Sequence, residues 1–137
     1  MKRLSFISLL CLASTTYANN QQVEESHEQE EPIFYCSTNN EKLIELSKYD
    51  EVYIYRFGAD LNSPELTLEN HIEEVIKRTQ SENGIEVKRS YDLKSGPYTY
   101  RVFSSNPKIP EENGVEVFKH KKRIARVECS GGIHIFE

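Results

Sequence analysis

What this chain lacks narrows it quickly. Its one sustained apolar stretch, residues 4–13, falls well short of the ~20 residues that a membrane-spanning helix needs. Basic residues are the minority, 17 Lys and Arg against 22 Asp and Glu, for a net charge of −5. Nucleic-acid binders work by neutralising phosphates with basic side chains, so that partner class is excluded. The three cysteines show no CxxC or CxxxC spacing, which removes the usual zinc motifs. The histidines His27, His71, His120 and His134 are scattered. His71 and Glu74 would share one face of a helix, but two groups fall short of the three or four ligands that a metal takes. No GxSxG elbow surrounds Ser95, no phosphate loop occurs, and no acidic pair is recognisable as a glycosidase couple. The reading is therefore no catalytic residue, no metal and no cofactor. There is no tryptophan, so aromatic chemistry falls to tyrosine and phenylalanine.

What is there points to export. Lys2 and Arg3 precede the apolar stretch, and residues 14–18 are small and polar, with Thr16 and Ala18 where a signal peptidase reads. Residues 1–18 read as a signal peptide cleaved after Ala18. Leu10 stands before Cys11, where lipid attachment wants a small residue. Excision takes Lys2, Arg3 and Cys11 with it, leaving a more acidic chain with two cysteines. In an oxidising compartment, Cys36 and Cys129 are expected to form one long-range disulfide.

Residues 19–31 carry one apolar side chain, Val23, and five acids. Such a stretch buries too little surface to offset the entropy of ordering and reads as an acidic disordered linker. Residues 32–137 read as a single β domain. Strands are expected at 33–37, 42–46, 51–57, 65–69, 85–93, 98–103, 115–119 and 123–129. A further short edge strand is expected at 133–136. Asn39-Asn40, Asn83-Gly84 and Ser95-Gly96-Pro97 supply turns. Residues 70–80 are the exception: Asn70 can cap, Ile72, Val75 and Ile76 recur at helical spacing, and a short helix is expected there. The sum is a mostly β fold, a small antiparallel barrel or sandwich of about eight strands with one disulfide.

Two surface features remain. The first is a basic patch in an acidic chain: Lys119, His120, Lys121, Lys122, Arg123 and Arg126. It suits an anionic partner, although charged hairpin tips also serve simply to blunt edge pairing. The second is tyrosine density around Tyr49, Tyr53, Tyr55, Tyr91, Tyr98 and Tyr100. Tyrosine is a frequent binding anchor and also an ordinary strand residue.

The segments FYCSTNNEKLIEL, IYRFG, PELTL, YTYRVF, GVEVF and IARVEC, spread over residues 34–129, resemble an uncharacterised family of small exported proteins of Gram-negative bacteria. The resemblance implies a periplasmic protein with Cys36 and Cys129 paired. A weaker likeness is to the periplasmic and membrane-bound inhibitors of C-type lysozyme, small β-barrels that insert an S-G-x-R-Y loop into the lysozyme cleft. Ser95 and Gly96 match its first two positions. Tyr98 and Thr99 stand where that motif has Arg and Tyr, and Tyr100 lies one position late. The second, lysine-bearing loop of those inhibitors has no counterpart legible in the sequence.

The expected function is that of an exported, non-catalytic periplasmic binding protein, with inhibition of a lysozyme-like enzyme as its specific form. Ser95, Gly96, Tyr98 and Tyr100 are its candidate contacts, and its partner is expected to be a protein of the periplasm. The alternative is an envelope-associated protein docking through Lys119, Lys121, Lys122, Arg123 and Arg126, with membrane contact at most peripheral.

Overall fold

The structure, a computed structural model, describes residues 29–105 and 112–135. The expected signal peptide, residues 19–28 of the acidic stretch, the loop carrying Pro107 and Pro110, and Phe136 lie outside the described residues. Nine strands follow in order: β1 (Glu31–Thr38), β2 (Leu43–Tyr49), β3 (Val52–Gly58), β4 (Leu66–His71), β5 (Ile76–Glu82), β6 (Ile85–Ser95), β7 (Tyr98–Ser105), β8 (Gly114–Lys119) and β9 (Lys122–Ile135). They form one antiparallel sheet in the order β4-β3-β2-β1-β9-β8-β7-β6-β5, curled into a half-barrel. A single continuous sheet resolves the choice between barrel and sandwich.

The sheet is two meanders joined once. Strands β1 to β4 pair neighbour to neighbour, as do β5 to β9, and β1 pairs with β9 at the junction. The disulfide Cys36–Cys129 lies at that junction, with 5.7 Å between Cα atoms, and Cys36 is fully buried. The β1–β9 register shifts on both sides of Ser37. Ser37 Oγ there donates to the Gly131 carbonyl at 2.9 Å. The disulfide therefore fastens an irregular seam between otherwise regular halves.

Period-two alternation decides which side chains face in. On β3, Tyr53 and Tyr55 point inward, and Tyr55 is flanked by Leu46 of β2 and Leu68 of β4. On β6 and β7, Tyr91, Leu93 and Val102 do the same. Tyrosines bridge the interior: Tyr53 meets Tyr91 at 5.6 Å between ring centroids, and Tyr55 meets Tyr100 at 5.8 Å. Both pairs are tilted, the geometry that the ring quadrupoles prefer. Burial pushes the Tyr55 hydroxyl well above the usual tyrosine range.

Three expectations change. Residues 70–80 form no helix. Asn70 is still on β4, a turn follows in which Glu74 N–H donates to the His71 carbonyl, and Ile76 opens β5. Of the apolar trio only Val75 is buried, while Ile72 and Ile76 are exposed. The Asn83-Gly84 turn, with both residues at positive φ, folds this segment back along β6 in an antiparallel ladder. An isolated helix of that length is marginal in water, so strand pairing prevails. Second, residues 133–135 are no separate edge strand. They continue β9 and lie against β1 in the middle of the sheet. Third, the β domain begins before Pro32. Glu31 opens β1, and the Glu30 carboxylate accepts hydrogen bonds from Ser47 Oγ and Arg56 Nη1. The hydrogen bond from Arg56 holds Glu30 below the usual carboxylate range.

Candidate functional site

Two hairpin tips meet at one end of the half-barrel. The β6–β7 tip is Gly96-Pro97, with Ser95 and Tyr98 as the closing pair. Gly96 has a φ of 57°, and glycine followed by another residue is the signature of a II′ hairpin turn. The β8–β9 tip is His120-Lys121, closed by Lys119 and Lys122, with His120 also at positive φ. His120 N–H donates to the Pro97 carbonyl at 2.8 Å, so one turn is bonded to the other. Tyr98 pairs directly with Lys119 across the ladder, and Lys119 Nζ lies 5.9 Å from the Tyr98 ring centroid. The tyrosine loop and the basic patch, separate in the sequence, thus make one surface.

Its members differ in exposure. Gly96, Pro97, Lys119, Lys121, Lys122 and Arg123 are exposed, and Ser95 and Tyr98 are half-buried. Tyr100 lies further down β7, with its ring against buried Tyr55, so it belongs to the interior. Arg123 is paired with Glu116 at 3.0 Å. Lys94, Lys121 and Lys122 make no ion pair with any described residue. Among the described residues, positive charge on this end is therefore left uncompensated, in a protein of net charge −5.

Arg126 does not join the tip. It sits on the outer face of the sheet at the end of a cross-strand row, Asp92 of β6, Arg101 of β7, Glu116 of β8 and Arg126 of β9, each opposite the next. Charge alternates along the row, which makes every neighbouring contact attractive. Arg101 holds Asp92 with two donors, Nε to Oδ1 at 2.8 Å and Nη2 to Oδ2 at 3.0 Å. Arg78 of β5 donates to Asp92 Oδ2 from the other side. The Asp92 side chain is only 4% exposed. Burial alone would raise its pKa, but hydrogen bonds from Arg101 and Arg78 outweigh it and hold the carboxyl below its usual range. The Arg101 guanidinium lies 4.7 Å from the Phe118 ring centroid, and that of Arg126 lies 4.5 Å from the Phe103 centroid. Both contacts run diagonally to the row and place each cation over an aromatic ring.

Above this row the outer face opens into a cleft of about 380 Å³. It is lined by Arg78, Thr79 and Gln80 of β5, Lys88 of β6, Arg101 and Phe103 of β7, and Arg126 of β9, with Glu112. Sequence reading missed Asp92, Arg101 and Glu116. The signal was alternation within the strands, which acquires meaning only once the register sets one strand beside the next. Among the described residues no group of three or more His, Cys, Asp or Glu could hold a metal, and no helix is long and apolar enough to cross a membrane. No protein-family model, no curated protein and no solved structure matches this chain.

Proposed function

We propose that this is an exported binding protein that acts by docking its paired hairpin tips into an acidic recess of a partner protein of the periplasm. The single observation carrying this reading is the bond from His120 N–H to the Pro97 carbonyl. It unites a Ser95-Gly96-Pro97-Tyr98 loop with a lysine tip that no described residue neutralises, on one edge. An aromatic anchor ringed by exposed cations is a common composition for an interface centre and its rim. Turns whose backbones are bonded together lose less entropy on binding than loops that move independently.

The recess of a C-type lysozyme, whose cleft carries acidic residues, is the specific partner that the likeness at Ser95-Gly96 suggests. The nearness of Lys121 and Lys122 to that loop supports this reading, since those inhibitors pair their loop with a lysine-bearing one. The test is a pull-down with disulfide-intact protein against a panel of lysozymes, followed by inhibition assays. Saturable capture that Ser95→Ala with Tyr98→Ala weakens at least tenfold, and that Lys121→Glu with Lys122→Glu abolishes, is the expected result. Capture unaffected by both pairs of changes overturns the docking edge. Binding to anionic vesicles instead, falling steeply with salt, would move the function to the envelope, because screening weakens contacts between exposed charges.

A further inference from the structure

We propose a second binding site, independent of the hairpin tips: the outer-face cleft bounded by β5 and the Asp92–Arg126 row takes an acidic saccharide, a sugar bearing carboxylates. Five basic side chains and two carboxylates line it. Its guanidiniums are fixed before any ligand arrives. Arg101 spends Nε and Nη2 on buried Asp92, and Arg78 spends Nη1 on the same carboxylate. One acid therefore holds two cations side by side, and the donors not spent on it remain for a second carboxylate. Arg126 lies over the Phe103 ring, donates through Nε to Glu128 Oε1 at 3.0 Å and has Nη1 3.5 Å from Glu116, so it too is held in place. Planar, immobilised guanidiniums are the usual receptors for carboxylates, because two parallel N–H donors match two oxygens.

Glu112 marks where a ligand carboxylate would lie. It is exposed and stands between Lys88, at 3.4 Å, and Arg126, at 3.9 Å. Long, exposed pairs of this kind contribute little and are readily exchanged for a better-placed anion. The rest of the lining suits a ligand bearing both hydroxyls and apolar faces. Thr79, Gln80 and Ser90 offer neutral donors and acceptors, and apolar surface, including the Phe103 ring under Arg126, lies beside them. Polar and apolar surface thus stand side by side, as the ring faces and hydroxyls of a sugar require. A bare inorganic anion would leave most of the 380 Å³ unfilled.

Titration calorimetry with digalacturonate tests this, with its methyl ester as the uncharged control and inorganic phosphate as the size control. The expected result is millimolar or tighter binding of the diacid that weakens with salt, no binding of the ester, and at least tenfold loss in the Arg78→Gln, Arg126→Gln double variant. Should that variant fail to melt cooperatively, Lys88→Gln, at a side chain 54% exposed, serves instead and is expected to lose severalfold. No binding of the diacid, equal binding of the ester, or full affinity in a folded variant overturns the proposal. Phosphate binding as tightly as the diacid also overturns it, in favour of a simple anion site. Lysozyme capture through the tips is unaffected by these variants, so failure of one site is distinguishable from failure of the other.

Discussion

The side chain of Asn70 pairs with the backbone of Lys94 as a strand residue would. Its Oδ1 accepts from Lys94 N–H at 2.5 Å, and its Nδ2 donates to the Lys94 carbonyl at 3.0 Å. The β5–β6 ladder ends at the Ile76–Asp92 pair, which leaves the last residues of β6 without a strand on that side. The Asn70 carboxamide, reaching over from β4, fills this position and draws the two ends of the sheet together. Asn70→Ala leaves both Lys94 backbone groups unpaired at a site only 7% exposed at Asn70. The expected cost is about 2 kcal/mol, from the desolvation of unsatisfied groups. Urea denaturation measures it, and amide exchange at Lys94 should accelerate well beyond that of the β2–β3 ladder. Unchanged exchange at Lys94 would mean that the carboxamide does not close the sheet.

Asp92 makes stability depend on acid. Its carboxyl is held below the unfolded value near 3.8, so its contribution is complete above the ordinary carboxylate range. That contribution is lost as pH falls through the lower, folded value. Asp92→Asn should cost about 3 kcal/mol at pH 7, because Arg101 and Arg78 lose their shared buried counter-charge. The gap between the variant and the parent should narrow steadily as the pH is lowered below 4. A gap that stays constant from pH 7 to pH 2 would show that Asp92 acts through shape alone.

Most of the strand pattern was legible in the sequence because turns and alternation are local. Asn83-Gly84 and Ser95-Gly96-Pro97 mark two of the hairpins, and the Ser95–Tyr98 closing pair already implies that Asp92 faces Arg101. Two kinds of information were not local. Helical spacing at Ile72, Val75 and Ile76 was coincidental, since β5 exists only through its pairing with β6. The irregularity between Val117 and Phe118 shifts the β8–β9 register and brings Arg126 opposite Glu116. No feature of the sequence announces that shift. For the same reason the union of the Pro97 and His120 turns was invisible, although both turns were identifiable individually.

The disulfide spans 93 residues in sequence, yet in space it joins two adjacent strands. Its effect is on the unfolded chain, where closing so long a loop is worth about 4 kcal/mol by the entropy model. Cys36→Ser with Cys129→Ser should lower the urea midpoint accordingly while leaving the sheet signal in circular dichroism intact at low temperature. With Cys36 fully buried, reductant should act on the native protein only as fast as the seam opens. Immediate reduction without denaturant would show that the β1–β9 seam opens readily in the native state.

Two glycines separate close approach from backbone conformation. At Gly114 an added Cβ would lie 2.1 Å from the Val127 carbonyl oxygen and 3.1 Å from the Glu128 Cα. Both obstacles are backbone, so β8 and β9 must part for any side chain to fit. Gly114→Ala should cost about 3 kcal/mol, in the range of overpacked interiors. At Gly96 the space is open and only the positive φ opposes a side chain. Gly96→Ala should cost about 1 kcal/mol, the lower end for a non-glycine residue held in that region. Chemical denaturation of both variants tests the order. If Gly96→Ala proves the more damaging, turn geometry rather than the β8–β9 contact limits this end of the sheet, and the union of the two hairpin tips depends on it.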